Sequence, residues 1–285
     1  MSIVTRHAFF ARHRCKVNHP VAKFRRWAWE TLFQSKVKEG SAMPCLPAGM
    51  AKSIMKDKFN QTAGFSSPLS SCSTRPIPKR STKSSRGGVV VQLPSQTNPR
   101  VILFESKLEQ RVLYLLLARK SVWDIREQPE PFKYLGRDGR RKYHFFDFLV
   151  TLTCGRIVAI AVKPMKFVIE HRFLLDLEDI RSAMTREFAD DVVLITDQDF
   201  TKAAALNAER FHTFARCRNE SLQKRLEDLA CSVTFPLTVE ALQKRLGAGA
   251  DGFRAIFLAI FDGVLSADKT KEIGLKSVVR LGGDS

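Results

Sequence analysis

The sequence predicts an α/β fold in three parts: a basic arm without fixed structure, a mixed sheet flanked by helices, and a small C-terminal unit with the element order of a winged helix. Three observations lead there. Positive charge is concentrated at the N-terminus. Through the middle of the chain, apolar residues alternate between helical and strand spacing. After Cys231 the texture changes to short helices with glycine turns. The expected boundaries are 1–85 for the arm and linker, 86–215 for the sheet domain and 216–285 for the C-terminal unit.

The 285 residues carry a formal net charge of +18. Residues 1–100 hold 18 Lys and Arg against Glu30, Glu39 and Asp57, and the remaining 185 hold 29 basic and 26 acidic residues. A basic arm ahead of a near-neutral body suits a polyanionic partner, most commonly a phosphate backbone. On charge alone, a solvated tail that binds nothing specific is an equal alternative. Residues 1–42 mix basic residues with Phe9, Phe10, Phe24, Trp27, Trp29 and Phe33 and lack a secretory apolar region. Their composition resembles a transit peptide, and a start at Met43 or Met50 would remove it. Residues 61–100 are rich in Ser, Pro, Thr, Lys and Arg, too poor in apolar surface to offset the entropy of ordering. They read as a flexible linker, with Lys79, Arg80, Lys83 and Arg86 as candidate DNA contacts and a short strand over Val89–Leu93.

An apolar content of 44% is enough for a core, and no apolar run is long enough to span a bilayer, so no membrane partner is expected. The six cysteines form no C-x-x-C pair and have no histidines at zinc spacing, so they read as plain thiols in a reducing cytosol.

Folded sequence is expected from Val101. Leu108, Val112, Leu115 and Leu116 make Phe104–Arg119 an amphipathic helix. Val122–Gln128 is a strand, ended by Pro129 and Pro131. Arg137-Asp138-Gly139 is a tight turn. Tyr143–Thr151 and Ile157–Lys163 form a hairpin about Leu152–Arg156. Glu170–Phe188 is helical, Asp191–Thr196 is a buried strand, and Asp199–Phe214 is helical. Leu237–Leu246, capped by Thr238, and Phe253–Phe261 are helices about a turn at Gly247–Gly252. Val264–Leu265 and Ser277–Leu281 would be the strands of a wing.

Chemistry concentrates on the central hairpin. Ala161 and Lys163, two apart in a strand, share a face, and the hairpin register brings Asp147 beside both. An aspartate among Phe145, Phe146 and Phe148 is costly to bury unless paired or bound to metal. A plain buried Asp147–Lys163 ion pair satisfies that need without any catalysis. Glu109, on the preceding helix, adds a second carboxylate. Two carboxylates and a lysine at a sheet edge can hold a hard divalent ion against a phosphate. Glu105 is the competing acid and falls on a different face of that helix.

FESKLEQRVLYLL, IREQP, FFDFLV, AVKP and DVVLITD occur in the order and spacing of the TnsA-type endonuclease subunit of heteromeric transposases, and the resemblance covers about residues 85–200. It implies a restriction-endonuclease-like fold and Mg²⁺- (or Mn²⁺-) dependent cleavage of phosphodiester bonds at transposon ends. It also implies a bacterial cytoplasmic setting, with a strand-transfer transposase and an ATPase regulator as partners. By position it assigns catalysis to Glu109, Asp147 and Lys163, and metal binding to Glu109, Asp147 and the Val162 carbonyl. Gln128 falls on a position whose role is read as structural. The C-terminal segment resembles, more weakly, the family's winged-helix-like part, which contacts the regulator; a winged helix could equally enter a DNA groove.

One position departs from the family pattern. Ala161 stands where Glu or Gln is usual, and a methyl group cannot ligate metal. Glu170, on the following helix, is the candidate replacement. The alternative expectation is therefore a weakened or inactive subunit that binds DNA or assembles the complex.

Overall fold

β-branched and aromatic runs separated by Gly and Pro turns set the strands of this molecule. The computed structural model describes residues 67–75 and 85–283. The arm through residue 66 lies outside the described residues, as do Lys79, Arg80 and Lys83.

A hairpin of β1 (Gly87–Val91) and β2 (Arg100–Phe104) opens the described body. The expected strand at Val89–Leu93 thus begins two residues earlier. Next comes α1 (Lys107–Leu117), whose N-cap is Ser106. The expected start at Phe104 shifts because Phe104 still pairs with Gly87 in the hairpin. β3 (Val122–Glu127) follows. Then β4 (Phe132–Leu135) and β5 (Arg141–His144) pair as a separate antiparallel ribbon. β6 (Phe148–Leu152) and β7 (Ile157–Val162) form the anticipated hairpin, with Leu149 opposite Ala159. Two helices, α2 (Met165–Glu170) and α3 (Phe173–Ala183), lead to β8 (Asp191–Ile195).

The central sheet runs β3-β6-β7-β8, with β8 parallel to β7 and the other neighbours antiparallel. A parallel neighbour needs a long crossover, which α2 and α3 supply. Alternation along β7 divides the core. Val158, Ile160 and Val162 pack with Val112 and Leu116 of α1, while Ala159 and Ala161 pack with Leu177 and Ile180 of α3.

Larger differences from expectation follow. Tyr143–Thr151 is not one strand. β5 pairs with β4 outside the sheet and β6 pairs within it, so the chain must break over Phe145–Asp147. The expected Glu170–Phe188 helix begins at Phe173, because Arg172 takes a left-handed conformation (φ 48°) that no helix can run through. It ends at Ala183, where Met184 turns extended. Part of the linker is also fixed. Residues 67–75 run as a strap beside β2 and β3. The Ser71 hydroxyl and the Cys72 N–H donate to the Glu127 carboxylate, Ser73 Oγ donates to Gln128 Oε1 at 2.6 Å, and the Thr74 N–H donates to the Gln128 carbonyl. Apolar content alone does not reveal this polar anchoring.

Beneath the strap, Arg100 pairs with Glu127 at 2.9 Å, their side chains 2% and 0% exposed, and its guanidinium also donates to the Ile125 carbonyl. Two buried opposite charges with several hydrogen bonds are tolerable, whereas one alone is not.

α4 (Lys202–Ala215) joins the two halves. Its Ala208 packs with the α1 core, while Phe211 and Phe214 pack with the C-terminal core. Fully buried Asn207 uses its whole amide there: its Nδ2 donates to the Lys269 and Lys271 carbonyls, and its Oδ1 accepts the Ile273 N–H. α5 (Glu220–Ser232), which the sequence reading passed over, buries Leu222, Leu226 and Ala230 at four-residue spacing. A two-residue strand β9 (Leu237–Thr238) precedes α6 (Val239–Leu246), and Thr238 caps that helix as expected. α7 (Gly249–Asp262) starts four residues before the expected Phe253. The tight turn is Gly247 (φ 67°) with Ala248, and Gly249 already belongs to the helix. β10 (Leu265–Ser266) and β11 (Val278–Leu281) complete a small sheet of order β10-β11-β9. No helix among the described residues is long and apolar enough to cross a membrane.

Arg100→Met should strand the Glu127 charge in the core and lower stability by about 3–5 kcal/mol, read from urea unfolding. An unchanged midpoint would mean that the strap's donors alone satisfy Glu127.

Candidate active site

Asp147 sits in the break between β5 and β6. Its N–H donates to the Ile160 carbonyl at 3.0 Å, which extends the β6–β7 register by one residue and sets Asp147 opposite Ala161. Its own carbonyl accepts the Gln128 N–H. Gln128 holds a left-handed backbone (φ 41°) and carries the strap on its side chain and carbonyl. The structural role read for Gln128 is thereby specified: it ties strap, β3 and Asp147 together.

The Asp147 carboxylate is buried, and one oxygen carries both of its recorded contacts. Oδ2 accepts the Val162 N–H at 2.7 Å and the Lys163 ammonium at 3.3 Å. Val162 thus meets Asp147 through its N–H. Burial pushes the Asp147 carboxyl above its ordinary value of 3.8, opposed by Lys163, the Val162 N–H and the more distant Arg75 charge. Lys163 follows directly on β7, just before Pro164, and keeps its head partly in solvent.

Glu109 reaches the same region from the first turn of α1. Ser106 and Glu109 cap the helix start together. Ser106 Oγ accepts the Glu109 N–H, and the Glu109 carboxylate accepts the Ser106 hydroxyl at 2.8 Å and the Glu105 N–H at 2.7 Å. Burial pushes the Glu109 carboxyl above its ordinary value of 4.5, and the Asp147 charge adds to that shift. The two acids therefore feel each other electrostatically, while the hydrogen bonds of Glu109 go to its own helix cap.

Arg75, absent from the sequence candidates, also lies near this site. From the strap, its guanidinium lies 5.1 Å over the Phe145 ring and 3.5 Å from the Glu105 carboxylate. Glu105 is thus engaged by Arg75, just ahead of the helix. Charge spacing within the linker could have drawn attention to Arg75, but only the fold carries it to Phe145. His144 is a second addition. Burial against Phe146 and Phe173, with the Lys163 charge nearby, pushes its imidazole down to about 4, so it is neutral at pH 7.

Glu170 is exposed at the end of α2 and pairs with Lys166 at 3.7 Å. Arg86 is half-buried just before β1. Ala161 is fully buried in the apolar cluster with Phe146, Met165 and Leu177.

The site is thus two buried carboxyls with raised proton affinity, one lysine and one nearby arginine at the end of a sheet. Among the described residues no three His, Cys, Asp or Glu side chains gather as a metal cluster. Two carboxylates plus water still suit Mg²⁺, which keeps several waters. The donor chemistry fits such an ion: it would offset both the burial cost and the mutual repulsion of Glu109 and Asp147. No family model matches the chain, and no curated protein matches it.

The raised Glu109 carboxyl makes a signed prediction. The folded state holds that proton more tightly than the unfolded state, so ionisation costs stability as pH rises from the ordinary carboxylate range through the raised value. Relative to the wild type in EDTA, Glu109→Gln should therefore gain stability from about pH 4.5, the ordinary carboxyl value, up to about pH 7.5. Denaturant titration at both pH values reads the difference. A pH-independent difference would mean that the capping bonds fully compensate the buried charge.

Proposed function

We propose that this chain is a metal-dependent DNA endonuclease subunit of a heteromeric transposase, acting on phosphodiester bonds at transposon ends. The observation that carries the reading is the convergence at one sheet end of Asp147, Lys163 at 3.3 Å from it, and a Glu109 carboxyl that senses the Asp147 charge. The mixed sheet with α1 on one face and α2–α3 on the other supports a restriction-endonuclease-like core.

In this reading Glu109 and Asp147 hold Mg²⁺ or Mn²⁺, with the Val162 carbonyl as the third donor. When bound, the ion supplies phosphate charge neutralisation and a more acidic water. Lys163, anchored on Asp147, directs its remaining donors at the attacking water or at the charge that builds on the phosphate. Burial of both acids keeps bulk water from competing with those contacts. Lys79, Arg80, Lys83 and Arg86 supply non-specific phosphate contacts from the linker. The C-terminal unit serves as a winged-helix-like module toward the ATPase regulator, and the strand-transfer transposase is the second partner.

One observation favours a second reading. Ala161, directly across from Asp147, contributes to apolar packing instead of to the donor set. A chain with that substitution could retain DNA binding and assembly while cleaving weakly.

Purified chain, alone and with its transposase, should nick element-end DNA in Mg²⁺ or Mn²⁺. Asp147→Ala and Lys163→Ala should each reduce the rate by about 100-fold or more. Cleavage equal in all three proteins would exclude the endonuclease reading. Wild-type inactivity joined to a gain of cleavage in Ala161→Glu would establish the second reading, with the metal set as the missing part.

A further inference from the structure

The β4–β5 ribbon stands apart from the central sheet and leads straight into the candidate site, since the chain passes from Tyr143 through His144, Phe145 and Phe146 to Asp147. Its two faces differ. Phe132 and Tyr134 are buried, and Lys142 and His144 are half-buried, whereas Lys133, Leu135, Arg141 and Tyr143 are exposed. The register pairs these outward residues directly, Lys133 with Tyr143 and Leu135 with Arg141.

Charge is divided in the same way. The acids of α3 are taken by the inner face and the tip. Arg137 donates to Asp179 at 3.0 Å and to the Leu175 carbonyl at 2.9 Å, and Lys142 lies 3.6 Å from Asp176. These contacts fasten the ribbon to α3. Lys133 and Arg141 have no ion pair among the described residues, whereas the tip residue Arg140 donates its N–H to the Asp138 carboxylate and its charge acts on that acid. The outward face is therefore an exposed cationic ridge on a fixed support, with an exposed tyrosine in its middle.

We infer that this face is a contact surface for duplex DNA, distinct from the carboxylate site and continuous with it. The inference rests on the DNA reading of that neighbouring site. A two-stranded ribbon fits a major groove about 12 Å wide. Its four-residue strands are about 13 Å long. Lys133, Arg140 and Arg141 would contact phosphates on either side of the cleaved position, which fixes register without reading sequence. The Tyr143 hydroxyl can donate to a phosphate, and Leu135 offers apolar contact to a thymine methyl. Charge complementarity and continuity with a phosphate-directed site favour a duplex over an acidic protein.

The test is equilibrium binding of the full chain to a labelled generic duplex over a salt series, in EDTA so that nothing is cleaved. The Lys133→Ala/Arg141→Ala pair should bind roughly 10-fold more weakly, with a log–log salt slope shallower by about 2. The conservative Lys133→Arg/Arg141→Lys pair should bind like the wild type. Lys244→Ala/Lys271→Ala, which removes two exposed lysines of the C-terminal unit, is the control and should change affinity less than about twofold if contact is local. Equal losses in the two alanine pairs would overturn the inference, as would no loss in the ribbon pair. Tighter direct binding of polyglutamate than of the duplex at equal charge concentration and salt, lost in the ribbon alanine pair, would also overturn it, in favour of an acidic protein partner. A separate Mn²⁺ cleavage assay decides the endonuclease reading. A chain that binds through the ribbon and never cleaves would retain this surface and lose that reading.

Discussion

The Asp147 carboxylate, buried at the end of the central sheet, constrains much of its surroundings. A charge in that position must be compensated, and the compensation comes from the Val162 N–H and the Lys163 ammonium on one oxygen. β7 has to end where it does so that this N–H faces Asp147 and the lysine head reaches solvent. The strand before Asp147 has to break, so that β5 can leave for the ribbon while β6 stays in the sheet. Even the left-handed Gln128 fits this logic, since its N–H holds the Asp147 carbonyl while its side chain is held by the strap.

A second buried charge pair organises the other side of β3. Arg100 and Glu127 exclude water from one another, and the strap covers them by donating from Ser71 and Cys72. The same strap delivers Arg75 to Phe145 and Glu105. A segment that carries little apolar surface is thereby ordered by hydrogen bonds to a core charge, and it links that charge to the neighbourhood of the carboxylates. On α4, Asn207 does comparable work, using three hydrogen bonds to fix the loop of the C-terminal unit onto that helix.

The candidate site is economical in donors. Glu109 spends both oxygens on its helix cap and still senses Asp147, so the two acids share a region without touching through a hydrogen bond. Ala161 leaves the place opposite Asp147 apolar. A divalent ion would resolve the electrostatic conflict between the acids, and Lys163 already resolves part of it.

Local patterns were enough to locate most of the helices and strands. Helical spacing of Val112 and Leu116, the apolar run Ile157–Val162 with its glycine turn, and Thr238 after Pro236 each carry their structure within a few residues. The pairing of Asp147 with Ala161 and Lys163 followed from the same source, because strand alternation and a tight turn fix register. What the sequence could not decide depends on contacts distant along the chain. Whether Tyr143–Thr151 is one strand or two depends on Phe132–Leu135 pairing away from the sheet. Whether Ser71–Arg75 is ordered depends on Glu127, more than fifty residues on. Which lysines and arginines face outward depends on the α3 acids that claim their neighbours. Periodicity is a property of adjacent residues and survives in the sequence, whereas the compensation of buried charge is settled only once the fold brings distant groups together.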